Sequence, residues 1–80
     1  MLTQYIQRAM ARAHYELLDD GTFYAEIPGI QGVYANSETL ETCREQLQEV
    51  LEDWIMLGFH QGHTLPVIDG INLNLALEPA

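Results

Sequence analysis

The sequence predicts one small α+β domain in which an N-terminal helix precedes the order β-β-β-α-β. Three observations support this fold class. Two stretches carry apolar residues at helical spacing, short runs alternate apolar and polar residues, and glycine-containing turn signals separate the runs. The 80 residues contain no internal repeat or linker, so residues 1–80 are expected to form a single domain. Within it, residues 1–12 form the N-terminal helix and residues 13–80 the β-β-β-α-β core.

The first helix and a three-stranded meander are predicted from residue spacing. Apolar residues recur on one side of the first helix: Leu2, Tyr5, Ile6, Ala9, Met10 and Ala13. Tyr15 and Leu17 share one face of the first strand, whereas the second strand groups Phe23, Ala25 and Ile27. Between these strands, the sequence Asp-Asp-Gly-Thr at 19–22 indicates a hairpin, because glycine accepts the positive φ of a tight turn.

A break of sequence Pro-Gly-Ile-Gln-Gly, residues 28–32, separates the second strand from a short third strand, Val33 to Ala35. A phosphate-binding loop would need its last glycine to enter a helix, and a P-loop would need a lysine. Here Gly32 leads into a strand and the chain has no lysine. The break is therefore predicted to be a structural turn.

The strongest pattern in the sequence is a long amphipathic helix that begins near Ser37 or Thr39 and ends at Gly58 or Gly62. Its apolar stripe contains Leu40, Cys43, Leu47, Val50, Leu51, Trp54, Ile55 and Leu57. After it, residues 71–77 alternate apolar residues with asparagines or alanine, which predicts a fourth strand. The long helix is expected to cover one face of a four-stranded mixed sheet. If the fourth strand is parallel to the first, the crossover is right-handed.

The charge balance excludes some partners and favours others. Twelve acidic residues oppose three basic residues, all arginines, which gives a net charge of −9 and a pI near 4.3. Nucleic-acid affinity depends on lysine and arginine, so direct DNA or RNA binding is not expected. An anionic membrane surface would repel the chain, whereas a basic protein would be attracted. Acidity is also a common means of keeping a protein in solution.

The sequence contains nothing that suggests secretion or insertion into a membrane. A single cysteine, Cys43, cannot form an intramolecular disulfide, which fits the cytoplasm. No signal peptide is apparent, and the longest apolar run, near residues 54–59, is too short to span a bilayer. We therefore expect a cytoplasmic protein without membrane association.

Candidate chemistry is sparse, and no catalytic, metal or cofactor site is predicted. His60 and His63 could hint at a metal, but a structural zinc site usually has four clear ligands, and solvated histidines at a helix end are the simpler reading. Cys43 lies on the apolar stripe and is expected to act as a small hydrophobe. Carboxylates around the first hairpin could bind Mg²⁺ for phosphoryl chemistry, although a solvated turn explains them as well: Glu16, Asp19, Asp20 and Glu26. Nothing assembles nucleophile, base and oxyanion donors, so an enzyme is not expected.

Four short motifs follow one another in a specific order. They are Tyr24-Ala25-x-Ile27-Pro28, then Gly32-Val33-x-Ala35, then Thr39-Leu40-Glu41 ahead of Leu47 and Leu51, and finally Leu65-Pro66. Over residues 15–66 the chain resembles the HicB family of antitoxins in these motifs. Ser37 stands where that family usually has a glycine, and the chain to Ala80 lacks the DNA-binding domain that many members carry. DNA autoregulation is therefore not expected, and the chain resembles a short form of the family.

The resemblance implies a degraded, non-catalytic ribonuclease-H-like fold of β-β-β-α-β order. It further implies that the protein binds and neutralises a small basic, mRNA-cleaving toxin of the HicA type by covering its active site, and that it forms homodimers or tetramers. We expect that toxin to contact carboxylates and tyrosines of the strands and the first turn: Glu16, Asp19, Asp20, Tyr24, Glu26 and Tyr34. Two alternatives remain. One is a solitary oligomeric interaction module without a toxin partner, and the other is a metal-dependent nuclease that uses the hairpin carboxylates.

Overall fold

The computed structural model describes residues 1–74, which form two helices and one antiparallel sheet. In chain order the elements are α1 (Leu2–Ala11), β1 (His14–Leu17), β2 (Phe23–Ile27), β3 (Ile30–Ser37) and α2 (Leu40–Gln61). The strands lie in the order β1-β2-β3. The predicted α+β class, the N-terminal helix, the meander and the long helix are thus confirmed, whereas residues 1–74 contain three strands rather than the predicted four.

The first hairpin closes at the predicted Asp-Gly turn. His14 pairs with Glu26 and Leu17 with Phe23. Beyond this pair, the Leu18 N–H donates to the Thr22 carbonyl at 2.8 Å. A carboxylate oxygen of Asp20 accepts hydrogen bonds from the Thr22 N–H at 2.9 Å and from its hydroxyl at 2.6 Å. Asp20 therefore organises the turn, in the way that an aspartate often bonds to the backbone two residues on.

The second corner is tighter than the sequence suggests. Only Pro28 and Gly29 form the turn, with Gly29 at φ 88°, and Ile30 already pairs with Ile27. β3 therefore begins at Ile30 and runs for eight residues rather than the predicted three. Burial of Ile30 explains the early start, because its side chain joins the core. Gly32, at φ 88°, lies where the register between β2 and β3 shifts, and so acts as a bulge within the strand.

α2 covers one face of the sheet and supplies most of the core. The Thr39 hydroxyl caps its start by accepting a hydrogen bond from the Thr42 N–H at 3.1 Å. The helix ends at Gly62, whose φ of 71° is left-handed. One buried column faces β2 and β3, with residues four apart: Cys43, Leu47, Leu51 and Ile55. The predicted stripe is confirmed at these positions, whereas Leu40 and Leu57 at its margins are exposed.

The predicted fourth strand is not present in residues 71–74, so the described sheet is three-stranded and antiparallel rather than four-stranded and mixed. Ile71 instead forms an isolated bridge with Ile68 across a turn at Asp69 and Gly70. The asparagines that produced the alternation have local roles. The Asn72 side chain accepts from the Asn74 N–H at 3.0 Å, where a helical turn begins. Residues 75–77 of the predicted strand lie outside the described residues.

α1 packs on α2 through Tyr5, Ala9 and Met10, which are all buried. Tyr5 also ties α1 to the segment after α2, because its hydroxyl donates to the Pro66 carbonyl at 2.7 Å. Arg12, at the end of α1, forms an ion pair with Asp69 in the same segment. Neither helix of residues 1–74 has the length and apolar character needed to cross a bilayer.

Gly58 lies inside α2 at a close approach, and Gly58→Ala is expected to destabilise the protein by about 1–3 kcal/mol. In an open helix the same change would be favourable by about 1 kcal/mol. Here the new methyl group would lie 2.7 Å from a methyl carbon of Leu65. The Leu65 backbone is held by the Asn74 side chain, which bonds its N–H and C=O at 2.9 Å and 2.7 Å, so relief of the clash requires the Leu65 side chain to move. That side chain is buried, so its movement would disturb the packing around it.

Chemical denaturation of wild type, Gly58→Ala, Leu65→Ala and the double variant tests this packing. The double variant should be more stable than the sum of the two single effects predicts, because removing the Leu65 branch also removes the clash. A Gly58→Ala protein more stable than wild type would contradict the packing described.

Tyr5 is expected to make stability fall at alkaline pH. Burial raises the pKa of its phenol above the ordinary value of 10.0, so the fold holds the neutral form. The unfolded chain then loses this proton first as the pH rises. Stability contributed by neutral Tyr5 is therefore complete below pH 10 and is lost as the pH rises through the folded-state pKa.

In Tyr5→Phe, stability at neutral pH should drop by about 1 kcal/mol, since the Pro66 carbonyl loses its donor, and the alkaline decline should become shallower. Thermal melts across pH 7 to about pH 11 measure both effects. Tyr34→Phe is the matched control, because the Tyr34 side chain is largely exposed and loss of its hydroxyl should leave the stability at neutral pH unchanged. An unchanged slope in Tyr5→Phe would refute the assignment.

Candidate protein-binding face

The sheet has one face that no helix or strand of residues 1–74 covers. On β2 and β3, Ala25, Ile27, Val33 and Ala35 are buried toward α2, so the alternate residues point the other way. The register of β1 places its own alternate residues beside them. We call this surface the open face; it consists of His14, Glu16, Tyr24, Glu26, Tyr34 and Asn36.

Four of the six residues expected to bind a partner come together on the open face. Glu16 lies directly opposite Tyr24, and Glu26 directly opposite Tyr34. Tyr24 and Tyr34 are diagonal neighbours whose rings stack, with centroids 6.3 Å apart and planes inclined by 27°. Desolvation, followed by the negative charge of Glu26, raises the pKa of the Tyr24 phenol. The face therefore combines an aromatic pair with flanking carboxylates.

A shallow depression of about 320 Å³ lies beside this aromatic pair. Its walls include Tyr24, Glu26 and Tyr34 together with Pro28 and Gly29 of the β2–β3 turn. A tyrosine ring attracts a cation through its π face, and a carboxylate binds guanidinium or ammonium groups through charge-assisted hydrogen bonds. The depression thus offers both elements that a long basic side chain would use.

Asp19 and Asp20 lie at the end of the sheet, in the β1–β2 turn, rather than on the open face itself. The hydrogen bonds from Thr22, with its hydroxyl first, lower the pKa of Asp20. Thr22 in turn accepts from the Asn36 side-chain amide at 2.9 Å, which links the turn to the open face. The structure therefore places Asp20 in a structural network and leaves Asp19 exposed at the rim.

The basic residues lie elsewhere. Arg8 belongs to α1, Arg12 follows α1 and pairs with Asp69, and Arg44 belongs to α2. On the three strands the formal charges at neutral pH are those of Glu16 and Glu26 alone, with His14 counted as neutral. The open face and its turn are consequently acidic.

The other candidate residues form no site in the described part of the chain. Cys43 is fully buried, and burial raises the pKa of its thiol, as expected for a small hydrophobe. His60 and His63 are exposed around the end of α2, and residues 1–74 contain no cluster of three potential metal ligands. A second depression, of about 420 Å³, separates α1 from α2 and includes Arg44 and Glu52, but none of the predicted site residues.

Sequence reasoning missed two residues of the open face, His14 and Asn36. Asn36 also donates to the Phe23 carbonyl at 2.8 Å. Alternation along the strands carried the necessary signal, since His14 lies two residues before Glu16 and Asn36 two residues after Tyr34. Asn36 was missed because the predicted third strand ends at Ala35, whereas β3 continues to Ser37.

Comparisons with known proteins place this fold in a family. A structure of TTHA0281 from Thermus thermophilus is similar to this chain, with 42% identity, coverage of 89% of each chain and a TM-score of 0.83. No protein with curated annotation matches. The model of the UPF0150-like family matches residues 4–66, from α1 to the segment after α2. The chain therefore belongs to the UPF0150-like family.

Proposed function

We propose that this protein is a HicB-like antitoxin that binds a small basic, mRNA-cleaving protein through the open face and neutralises it by covering its active site. The observation that carries the proposal is the composition of that face, where stacked Tyr24 and Tyr34 lie between Glu16 and Glu26. In this proposal the protein is a non-catalytic binding module with a degraded ribonuclease-H-like fold. It would act in the cytoplasm, where mRNA is cleaved.

Charge supports a basic partner. A net charge of −9, with no arginine on the three strands, creates a field that attracts cationic proteins and speeds their capture. The same field opposes direct contact with RNA or DNA, whose phosphates would meet Glu16 and Glu26. An RNA-cleaving protein must itself be basic where it binds RNA. An acidic face can therefore compete with RNA for that surface.

The tyrosine pair supports affinity as well as attraction. Exposed charges at an interface mainly set the association rate, whereas buried aromatic anchors supply most of the binding energy. Tyr34 is 59% exposed in the free chain, and its ring would be buried by a partner. The neighbouring depression is suited to an arginine or lysine side chain of that partner.

Co-expression tests the proposal. The protein is produced with the small basic protein encoded beside its gene, and two readouts are taken: co-purification, and growth of cells in which the basic protein alone is toxic. We expect a complex and restored growth. A toxic neighbour that is neither bound nor neutralised would overturn the antitoxin role.

The same experiment separates the alternatives. Binding to an unrelated basic protein, with no toxic neighbour, would support a solitary interaction module. Mg²⁺-dependent cleavage of RNA by the purified chain, lost on Asp20→Ala, would instead support a nuclease.

A further inference from the structure

We propose that the outer edge of β1 pairs with β1 of a second copy of this chain, which joins two three-stranded sheets into one six-stranded antiparallel sheet. Among residues 1–74, β1 has a neighbour on one side only, and its four residues are all exposed. The opposite edge strand, β3, differs because it is interrupted by the Gly32 bulge, a feature that blocks edge pairing. In the described part of the chain, β1 is therefore the edge that is open to another strand.

Apolar side chains on β1 are exposed to water, so covering this edge would be favourable. Tyr15 and Leu17 pair with Ala25 and Phe23, so they lie on the helix side of the sheet. α2 packs over β2 and β3, however, and leaves Tyr15 37% and Leu17 64% exposed. A second copy arriving at the edge brings its own Tyr15 and Leu17 to the same side. The four apolar side chains then meet in the gap between the two α2 helices.

The backbone at this edge is oriented for pairing. Just past β1, the Leu18 N–H donates to the Thr22 carbonyl, so the backbone of Leu18 points inward, toward β2. Inward and outward bonding alternate along an antiparallel strand, so His14 and Glu16 also bond inward. The N–H and C=O groups of Tyr15 and Leu17 consequently point to the outer edge, where a second strand can bond to them.

The charges select one register. Paired residues must lie on the same face, so the registers that overlap most of β1 place the two-fold axis through Tyr15 or through Glu16. An axis through Glu16 places like charges directly opposite each other, which is unfavourable between chains of net charge −9. An axis through Tyr15 places His14 opposite Glu16 of the second copy. That arrangement avoids the repulsion and allows an imidazole N–H to donate a hydrogen bond to a carboxylate, and it occurs twice by symmetry.

This pairing extends the candidate protein-binding face without depending on its proposed function. Both copies keep their open faces on the same side, because the two-fold axis is perpendicular to the sheet. His14 and Glu16 then form the seam between two Tyr24–Tyr34 pairs. Each copy completes the surface of the other along β1.

Cysteine cross-linking tests the register. Two single-cysteine chains, His14→Cys and Glu16→Cys, are made in a Cys43→Ala background and mixed under mild oxidation. His14 and Glu16 both direct their backbone hydrogen bonds toward β2, so across the new seam they would form a non-hydrogen-bonded pair. The Cα atoms of such a pair lie about 4.5 Å apart, within the range for a disulfide. We expect a cross-linked heterodimer from the mixture and none from either chain alone. Cross-linking of the Glu16→Cys chain alone, or no enrichment in the mixture, would overturn the assigned pairing.

Sedimentation equilibrium without any partner tests the interface in chains that keep Cys43. The wild-type chain should approach twice its mass of 9.1 kDa as its concentration rises. Tyr15→Lys should remain monomeric, whereas Tyr34→Lys, a control on the open face, should still dimerise. A wild-type chain that stays monomeric, or a Tyr15→Lys chain that dimerises normally, would overturn the proposal while leaving the binding of a basic protein untouched.

Discussion

The variant Tyr34→Ala is expected to bind the basic partner about 30-fold more weakly than the wild type, or weaker still, which corresponds to the loss of an aromatic anchor of at least about 2 kcal/mol. Tyr34 contributes its ring to the stacked pair at 6.3 Å and lines the depression beside Glu26. Removing the ring leaves Tyr24 without its neighbour and opens the depression to water. Most of the effect should appear as faster dissociation, since the charges that govern encounter remain.

The stability of Tyr34→Ala should change little, because its side chain is largely exposed. Isothermal titration with the purified partner measures the affinity, and a thermal melt checks the fold. Leu57→Ala is the matched control. Leu57 is 53% exposed but lies on α2, away from the open face, so its loss should leave binding unchanged. If Leu57→Ala weakens binding and Tyr34→Ala does not, the partner binds α2 rather than the open face, which would contradict the proposal.

The variant Leu51→Ala is expected to lose about 2–5 kcal/mol of folding free energy. Leu51 is fully buried in the middle of the column that α2 presents to the sheet, between Leu47 and Ile55. Truncation removes transfer energy and leaves a cavity that rigid neighbours fill only partly. Because small domains have a total stability of about 5–15 kcal/mol, this one change removes a large share of it.

In a domain of this size each kcal/mol lowers the melting temperature by about 4–8 °C, so Leu51→Ala should melt at least about 8 °C below wild type. The control Leu40→Ala shortens an exposed leucine at the start of the same helix and should change stability by less than about 0.5 kcal/mol. Equal losses in the two variants would contradict the core described for α2.

The faces of the sheet could be predicted from sequence because alternation depends only on local geometry. Tyr24 and Glu26 alternate with Ala25 and Ile27, and one buried residue fixes the direction of the others. The helix cap at Thr39 and the end at Gly62 were predictable for the same reason, since each depends on a few neighbouring residues.

The rest of the fold could not be predicted because it depends on contacts between distant residues. The sequence pattern predicts a loop at Gly32, but burial of Ile30 starts β3 before it, and that glycine forms a bulge within the strand. Asn72 and Asn74 occupy the polar positions of an alternating pattern that is typical of a strand. In the fold the Asn74 side chain bonds the backbone of Leu65, and the Asn72 side chain bonds Asn74. The alternating pattern does not predict these contacts. The residues of the open face could be predicted from the alternation along each strand. Their link to Asp20 through Thr22 and Asn36 could not, because it depends on which residues of neighbouring strands lie opposite each other.

Mapping the partner's contact surface by NMR tests the central claim most directly. The ¹⁵N-labelled chain is titrated with the small basic protein, and backbone amide shifts are followed to saturation. We expect the largest changes at Glu16, Tyr24, Glu26 and Tyr34, with small changes at the exposed residues Glu45, Glu49 and Glu52 of α2. Changes concentrated on the acidic face of α2, with the open face unaffected, would contradict the account.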